Sequence, residues 1–216
     1  MKPTSLFNVH RRQMVERHLR ARGIGDERVL AAMGEVSREL FVGADQQDAA
    51  YDDCALPIAA GQTISQPYTV AFMCEAARLS PHDKVLEVGA GSGYGAAVLA
   101  RLVHEVYTVE RIPELTEEAR TNLAAAGCRN VHVATADGSM GWPEHAPYDA
   151  ILVTAAADAL PTALVDQLAP GGRLVIPIGT GGQTMYRYTR LDHGLRRDDL
   201  GGFAFVPLIG AYSAER

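Results

Sequence analysis

The sequence predicts an α/β protein: a doubly wound, mostly parallel sheet, with an N-terminal helical region before it and a C-terminal antiparallel β addition after it. Three observations carry that prediction. From Lys84 onward, short apolar runs alternate with helical stretches, the pattern of parallel strands joined by crossover helices. A glycine-rich turn follows the first of those runs directly, and the tail switches to alternating, β-prone segments.

The front is helical. Residues 8–22 have the apolar spacing of a helix, and Gly23 ends it. Asp26 is placed to cap a second helix, with Val29, Leu30 and Met33 on one face. The alternation then runs through VLEV (85–88), a helix over 95–103, EVYTV (105–109), a helix over 113–126 stopped by Gly127, and VHVATA (131–136). It continues with DAILVT (149–154), a helix over 160–168, a turn at Pro170-Gly171-Gly172 and RLVIPI (173–178). In the tail MYRYTRL (185–191) reads as a strand, HGLRRDDLGG (193–202) as a turn and GFAFVPL (202–208) as a second strand. Open α/β sheets bind ligands beyond the carboxyl ends of their strands, so chemistry is expected there.

The chain has 216 residues, 47% of them apolar, enough for one sizeable core and short for two. A net charge of −6 argues against nucleic-acid binding, which needs clustered Lys and Arg. The one basic cluster, Arg11, Arg12, Arg17, Arg20 and Arg22, is interleaved with the amphipathic pattern and reads as a solvated helix face. Cys54, Cys74 and Cys128 form no CxxC pair; they read as small core residues and suggest a reducing compartment. The opening residues show no apolar stretch of the signal-peptide kind, so a cytoplasmic location is expected. The histidines lack metal-ligand spacing, and no metal is expected.

Residues 55–74 carry no Asp, Glu, Lys, Arg or His, although charged residues make up 21% of the chain. Pro57, Gly61, Gln62, Thr63, Ser65, Gln66 and Pro67 rule out a membrane span, because hydrocarbon would leave their polar groups unsatisfied. A buried or cleft-lining polar segment remains.

VLEVGAGSGYGAA (85–97) sets Gly89, Ala90, Gly91 and Gly93 between a buried strand and a helix, where a tight backbone lets a nucleotide approach the helix N-terminus. A dinucleotide fingerprint wants a small residue at position 94, and Tyr94 stands there, so NAD is disfavoured. No Lys-Ser/Thr pair follows the glycines, which excludes a phosphate-cradling P-loop. Acids mark successive strand ends: Glu87, then Glu110 followed by Arg111, then Asp137-Gly138. This resembles S-adenosylmethionine-dependent methyltransferases, with Glu110 accepting the ribose hydroxyls, Glu87 near the amino group and sulfonium, and Asp137 by the adenine. Asp158, after VTAAA, either borders the substrate mouth or caps a helix.

With ELFV (39–42), ALPI (55–58), GQTISQPYTVA (61–71), YDAILVTAAA (148–157), LAPGGRLVIPIG (168–179) and FVPL (205–208), the chain closely resembles the protein-L-isoaspartate O-methyltransferase family over nearly its whole length. GQTISQP is the family's specific signal, whereas the glycine loop is shared by many methyltransferases. The resemblance implies a Rossmann-like class I methyltransferase sheet and S-adenosyl-L-methionine as cofactor. It implies methylation of the α-carboxyl group of L-isoaspartyl residues in damaged peptides and proteins, the ester then collapsing to a succinimide as the start of repair. One domain over 1–216 is expected: a helical region (1–54), an active-site loop and helix (55–80), a cofactor-binding core (81–180) and a β addition (181–216).

By the same resemblance Ser65 is the active-site serine. Cofactor contacts are expected from Gln62, Thr63, Ile64, Glu87, Gly89, Ala90, Gly91, Gly93, Glu110, Arg111, Asp137, Gly138 and Thr154, and substrate contacts from Ala55, Leu56, Pro57, Ile58, Ser65, Val206, Pro207 and Leu208. A monomer acting on isoaspartyl-containing peptides and proteins, with no nucleic-acid or membrane partner, is expected. The sequence departs from the family at Ala59-Ala60, where glycine is frequent, and at Ala157, where proline is common; both bear on loop stiffness and substrate breadth.

Chemistry explains the neutral loop. An isoaspartyl α-carboxylate, with a pKa of roughly 3.5, is already ionised at neutral pH and needs no general base. Displacement at a sulfonium methyl needs alignment and partial dehydration of that anion, and a hydroxyl such as Ser65 holds it without a repelling carboxylate. The rivals are a carboxyl methyltransferase dedicated to one modified peptide and, less favoured, a non-catalytic cofactor-binding module, which would keep the glycine loop without Ser65 and its polar surroundings.

Overall fold

The computed structural model describes residues 4–211. Helix α1 (Thr4–Gln13) passes into a π-helical turn at Met14–Leu19 and a 3-10 turn at Arg20–Arg22. A uniform helix was expected here. The wider turn instead lets Met14, Val15 and Leu19, spaced i, i+1 and i+5, share one buried face. Gly23 ends the segment at φ 99°, with Ile24 N donating to Leu19 O and Gly23 N to Arg20 O. That pair of bonds is a Schellman motif, with buried Leu19 and Ile24 as its apolar contact. Asp26 caps α2 (Glu27–Glu35) by accepting from Arg28 N, and Val29, Leu30, Ala32 and Met33 are buried. Four arginines of the basic cluster are engaged within the chain: Arg11 with Ser37, Arg12 with Asn8 O, Arg20 with Glu27, and Arg22 with Asp53.

The charge-free segment divides in two. Strands β1 (Leu56–Pro57) and β2 (Thr63–Ile64) pair antiparallel across a turn at Ala59–Gly61, and Pro67 opens helix α3 (Pro67–Ala76), where its missing N–H costs nothing. Ala60 stands at φ 54°, in the left-handed region that glycine adopts freely.

The main sheet follows with β3 (Lys84–Val88), α4 (Tyr94–Leu99), β4 (Glu105–Glu110), α5 (Pro113–Ala125), β5 (Val131–Thr135), β6 (Tyr148–Val153), α6 (Thr162–Asp166), β7 (Leu168–Ile178), β8 (Gln183–Leu191) and β9 (Gly194–Phe203). Its order is β5-β4-β3-β6-β7-β8-β9, parallel from β5 to β7 and antiparallel from β7 to β9. The chain runs outward from β3 to β5 and returns to place β6 on the other side of β3. This reversal opens a crevice at the carboxyl ends of β3 and β6. Alternate residues feed two apolar clusters: Val85, Val106, Leu152 and Val175 face the side covered by α2, α3 and α4, and Leu86, Val109, Ile151 and Leu174 face the other.

Four segments differ from expectation. Pro170-Gly171-Gly172 lies within the long β7, where Gly171 at φ 76° and a register shift against β6 absorb the turn as an irregularity. Helix α6 is short because Pro161 stands immediately before it, and Asp158 therefore does not cap it. In the tail, residues 194–203 form an edge strand and the turn shrinks to 192–193. Charge did not forbid the strand, since Arg187 on β8 meets its cross-strand partner Asp198 at 2.7 Å and Arg197 lies over the Tyr186 ring. Beyond Phe203 the chain leaves the ladder and keeps a single bridge, with Ala156 N donating to Val206 O and Leu208 N to Ala156 O; Pro207 has no N–H to extend it. Among the described residues no helix is long and apolar enough to cross a membrane, and no cluster of His, Cys, Asp and Glu could hold a metal.

Candidate functional site

A cleft opens over the carboxyl ends of β3, β4 and β6, lined by residues from the neutral loop, the glycine turn and the strand ends. Its floor is the glycine turn after β3. Gly89 N donates to Val109 O at 2.8 Å, and Gly89 adopts φ 97°, where an added Cβ would collide with Thr154 Oγ1. Thr154, just past β6, donates its hydroxyl to the carbonyls of Val88 and Gly89 and so ties the two strand ends together. Gly91 stands at φ 52°, and a Cβ there would touch Ile58 Cδ1 at 3.5 Å.

Glu110 ends β4 with both carboxylate oxygens anchored: Oε2 accepts from Gly91 N and Oε1 from Ile112 N, each at 3.0 Å. A carboxylate fixed by two backbone donors at a cavity wall, with lone pairs to spare, suits a vicinal diol. Glu87 lies deeper, only 2% exposed, with Oε2 accepting from the Thr108 hydroxyl at 2.7 Å. Burial pushes its pKa up to about 8; the Thr108 bond opposes that shift and the charge of Glu110 adds to it. Gly95 of α4 has no room for a Cβ because Glu87 Oε1 occupies that space. The far wall is the neutral loop, with Gln62, Thr63, Ile64 and half-buried Ser65, and the rim is Val206, Pro207 and Leu208.

Most of the residues expected from the sequence meet in this one cavity: Gln62, Thr63, Ile64, Ser65, Glu87, Gly89, Ala90, Gly91, Glu110, Arg111, Gly138, Thr154 and 206–208. Others do not. Gly93 turns its α-carbon toward α5, where a Cβ would lie 3.2 Å from Leu123 Cγ and 3.3 Å from the Ala119 backbone, so it serves helix packing. Asp137 stays outside the lining because its carboxylate is taken by Ser139 N, Ser139 Oγ and Ala211 N; burial works to raise its pKa, but these bonds outweigh it and hold the group below the usual carboxylate range. Ala55, Leu56, Pro57 and Ile58 are not in the lining: Leu56 pairs with Ile64 and Pro57 with Thr63 in the outer half of the loop hairpin, and Ile58 Cδ1 reaches the glycine turn at Gly91. Cys54, expected in the core, is exposed.

Sequence reasoning passed over Ser92, Ile112, Leu115 and Ile209, which also line the cavity. Ile112 and Leu115 had a usable signal, three residues apart at the start of the helix after Glu110. Ser92 had none, being one more small residue in the glycine turn. Of the departures, Ala157 is buried and donates its N–H to Pro177 O, a bond a proline could not make.

The description of the family whose profile matches residues 10–213 is Protein-L-isoaspartate(D-aspartate) O-methyltransferase. A Synechococcus protein-L-isoaspartate O-methyltransferase is 53% identical over 211 residues, covering 94% of this chain and 86% of that protein. The Methanoculleus marisnigri protein of the same name is 51% identical, covering 94% and 92%. Among solved structures, a protein-L-isoaspartate O-methyltransferase superposes with TM-score 0.86 at 30% identity over 94% of this chain and 67% of its own. A Plasmodium falciparum structure titled as a putative enzyme of that kind, in complex with S-adenosyl-L-homocysteine, gives TM-score 0.81 at 28% identity, covering 92% and 98%.

Proposed function

This chain belongs to the protein-L-isoaspartate(D-aspartate) O-methyltransferase family, and from that premise we propose how its residues divide the work of S-adenosylmethionine-dependent methylation of L-isoaspartyl residues. The carrying observation is that the Ser65 loop, the anchored Glu110 and the glycine turn face one cavity at the strand ends. The residues fit the cofactor: a two-point carboxylate for ribose hydroxyls, an acid at the floor for a cation, and a glycine turn whose backbone lines the cavity ahead of α4. When bound, S-adenosylmethionine supplies an electrophilic methyl group on a sulfonium.

Glu110 holds the ribose, and Glu87 faces the cationic end. Ile112 and Leu115 offer apolar contact for the adenine. Ser65 donates its hydroxyl to the substrate α-carboxylate, and the 206–208 rim meets the peptide main chain. No residue has to remove a proton, because the nucleophile is ionised at neutral pH. The methyl ester then collapses to a succinimide, whose hydrolysis returns part of the residue to aspartate. The chain works as one domain and a monomer in the cytoplasm, without nucleic acid.

Aspartyl and isoaspartyl residues carry the same charge and differ by one methylene in where the carboxylate leaves the main chain, so geometry must separate them. Methyl transfer from labelled cofactor to matched Asp and isoAsp peptides is the test, with Ser65→Ala alongside. Wild-type protein methylates only the isoAsp peptide, and the variant is slowed with cofactor affinity kept. Equal labelling of both peptides would sink the repair assignment, and a fully active variant would remove Ser65 from the mechanism.

A further inference from the structure

Arg38 is completely buried in the short turn Arg38–Phe41 that follows α2, outside the cavity lining. A buried guanidinium with no role is expensive, so its partners matter. Nε donates to Ala50 O and Nη2 to Ser65 O, each at 2.8 Å. These two carbonyls flank the excursion 51–64, which carries β1, the Ala59–Gly61 turn and β2. One planar group therefore closes the base of the loop that ends in Ser65.

The Ser65 carbonyl has need of such a donor. The ladder of α3 begins one residue later, with Val70 N donating to Gln66 O, while Gln66 Nε2 reaches back to Asp53 O. The other face of the guanidinium lies 4.6 Å from the centroid of the Tyr94 ring. Tyr94 opens α4 directly after the glycine turn and lines the cavity, and Phe41 packs edge-on against the same ring at 5.6 Å. The neighbouring Glu39 carboxylate is engaged elsewhere, accepting from the Tyr51 hydroxyl. Arg38 thus links the base of the loop to the wall of the cofactor cavity.

We propose that Arg38 is a positioning residue for methyl transfer: by holding the carbonyls of Ala50 and Ser65 while its guanidinium rests over the Tyr94 ring, it sets where the Ser65 hydroxyl stands relative to the cofactor cavity. This rests on Ser65 holding the substrate carboxylate. A guanidinium presents its donors in a rigid fork, whereas a lysine ammonium keeps the charge without fixing two carbonyls in one plane. A displacement of about 1 Å at a reacting group costs on the order of 100-fold in rate.

The test is a double-mutant cycle with Arg38→Lys and Ser65→Ala, read as kcat and KM for an isoaspartyl peptide and as cofactor Kd by calorimetry. Arg38→Lys lowers kcat about 10- to 100-fold with cofactor Kd within about threefold, and in the Ser65→Ala background the same change costs less than about threefold. An equal loss in both backgrounds, or a kcat within twofold of wild type, overturns the positioning role. If Ser65→Ala alone is fully active, the failure belongs to the Ser65 assignment instead. Should Arg38→Lys melt below the assay temperature, Arg38→Gln, which removes the buried charge, is measured in the same cycle; failure of both to fold with cofactor bound assigns Arg38 to stability alone and overturns the proposal.

Discussion

Replacing Glu87 with glutamine alters the pH dependence of stability in a way that follows from where the carboxyl group sits. It is 2% exposed, bonded to Thr108, beside Glu110, and close enough to Cys74 of α3 to raise that thiol's pKa further, after burial. In the cofactor-free protein its pKa is pushed up to about 8, against an ordinary 4.5. Below pH 4.5 folded and unfolded chains both hold this proton, and above about 8 both have lost it. Between those limits only the folded chain keeps it, so stability falls as pH rises, by about 1.4 kcal/mol per pH unit. Across the whole window that is roughly 5 kcal/mol, and from pH 5.5 to 7.5 about 3 kcal/mol. Glutamine keeps the size and an acceptor for Thr108 but cannot ionise. Urea unfolding of cofactor-free wild type and Glu87→Gln, compared at several pH values, isolates the effect: the wild type loses about 3 kcal/mol relative to the variant between pH 5.5 and 7.5. Parallel profiles would show that Glu87 is ionised in the folded protein and refute the argument.

Other consequences are simpler to state. Glu110→Ala removes the anchored carboxylate and weakens S-adenosylmethionine binding by roughly 1.5–3 kcal/mol, measured by calorimetry; unchanged affinity would take the ribose role from Glu110. Gly93→Ala forces a side chain into a left-handed backbone at φ 91° and against the Ala119 backbone at 3.3 Å, which costs about 2 kcal/mol and lowers the melting temperature by roughly 4–8 °C. A Gly93→Ala protein that melts with the wild type would contradict the packing role assigned to that glycine.

Much of the fold was legible because its signals are local. The Gly23 and Gly127 stops, the Asp26 cap, the apolar runs of β3 to β7 and the glycine turn all depend on residues within a few positions of one another. So did the placement of Glu87 and Glu110 at strand ends, since a strand of known length followed by glycine or proline says where its carboxyl end falls. The neutral stretch 55–74 was legible in a weaker sense: its composition excluded a membrane and required a cleft, without saying which half would face it.

Tertiary structure decided what composition leaves open. Residues 194–203, charged and glycine-rich, became a strand because β8 offered a partner for Asp198 and an edge on which both faces can be wet. Asp137 has the sequence position of a cofactor ligand, yet its oxygens were claimed by Ser139 and by Ala211, 74 residues away. Arg38 shows nothing in its neighbourhood that marks it, because both carbonyls it holds are distant in the chain. Periodicity, caps and turn residues report backbone preferences over a few residues and are written in the sequence. Burial of a charge and the identity of its partners depend on which segments the packed core brings together, and only the assembled sheet, loop and helices settle them.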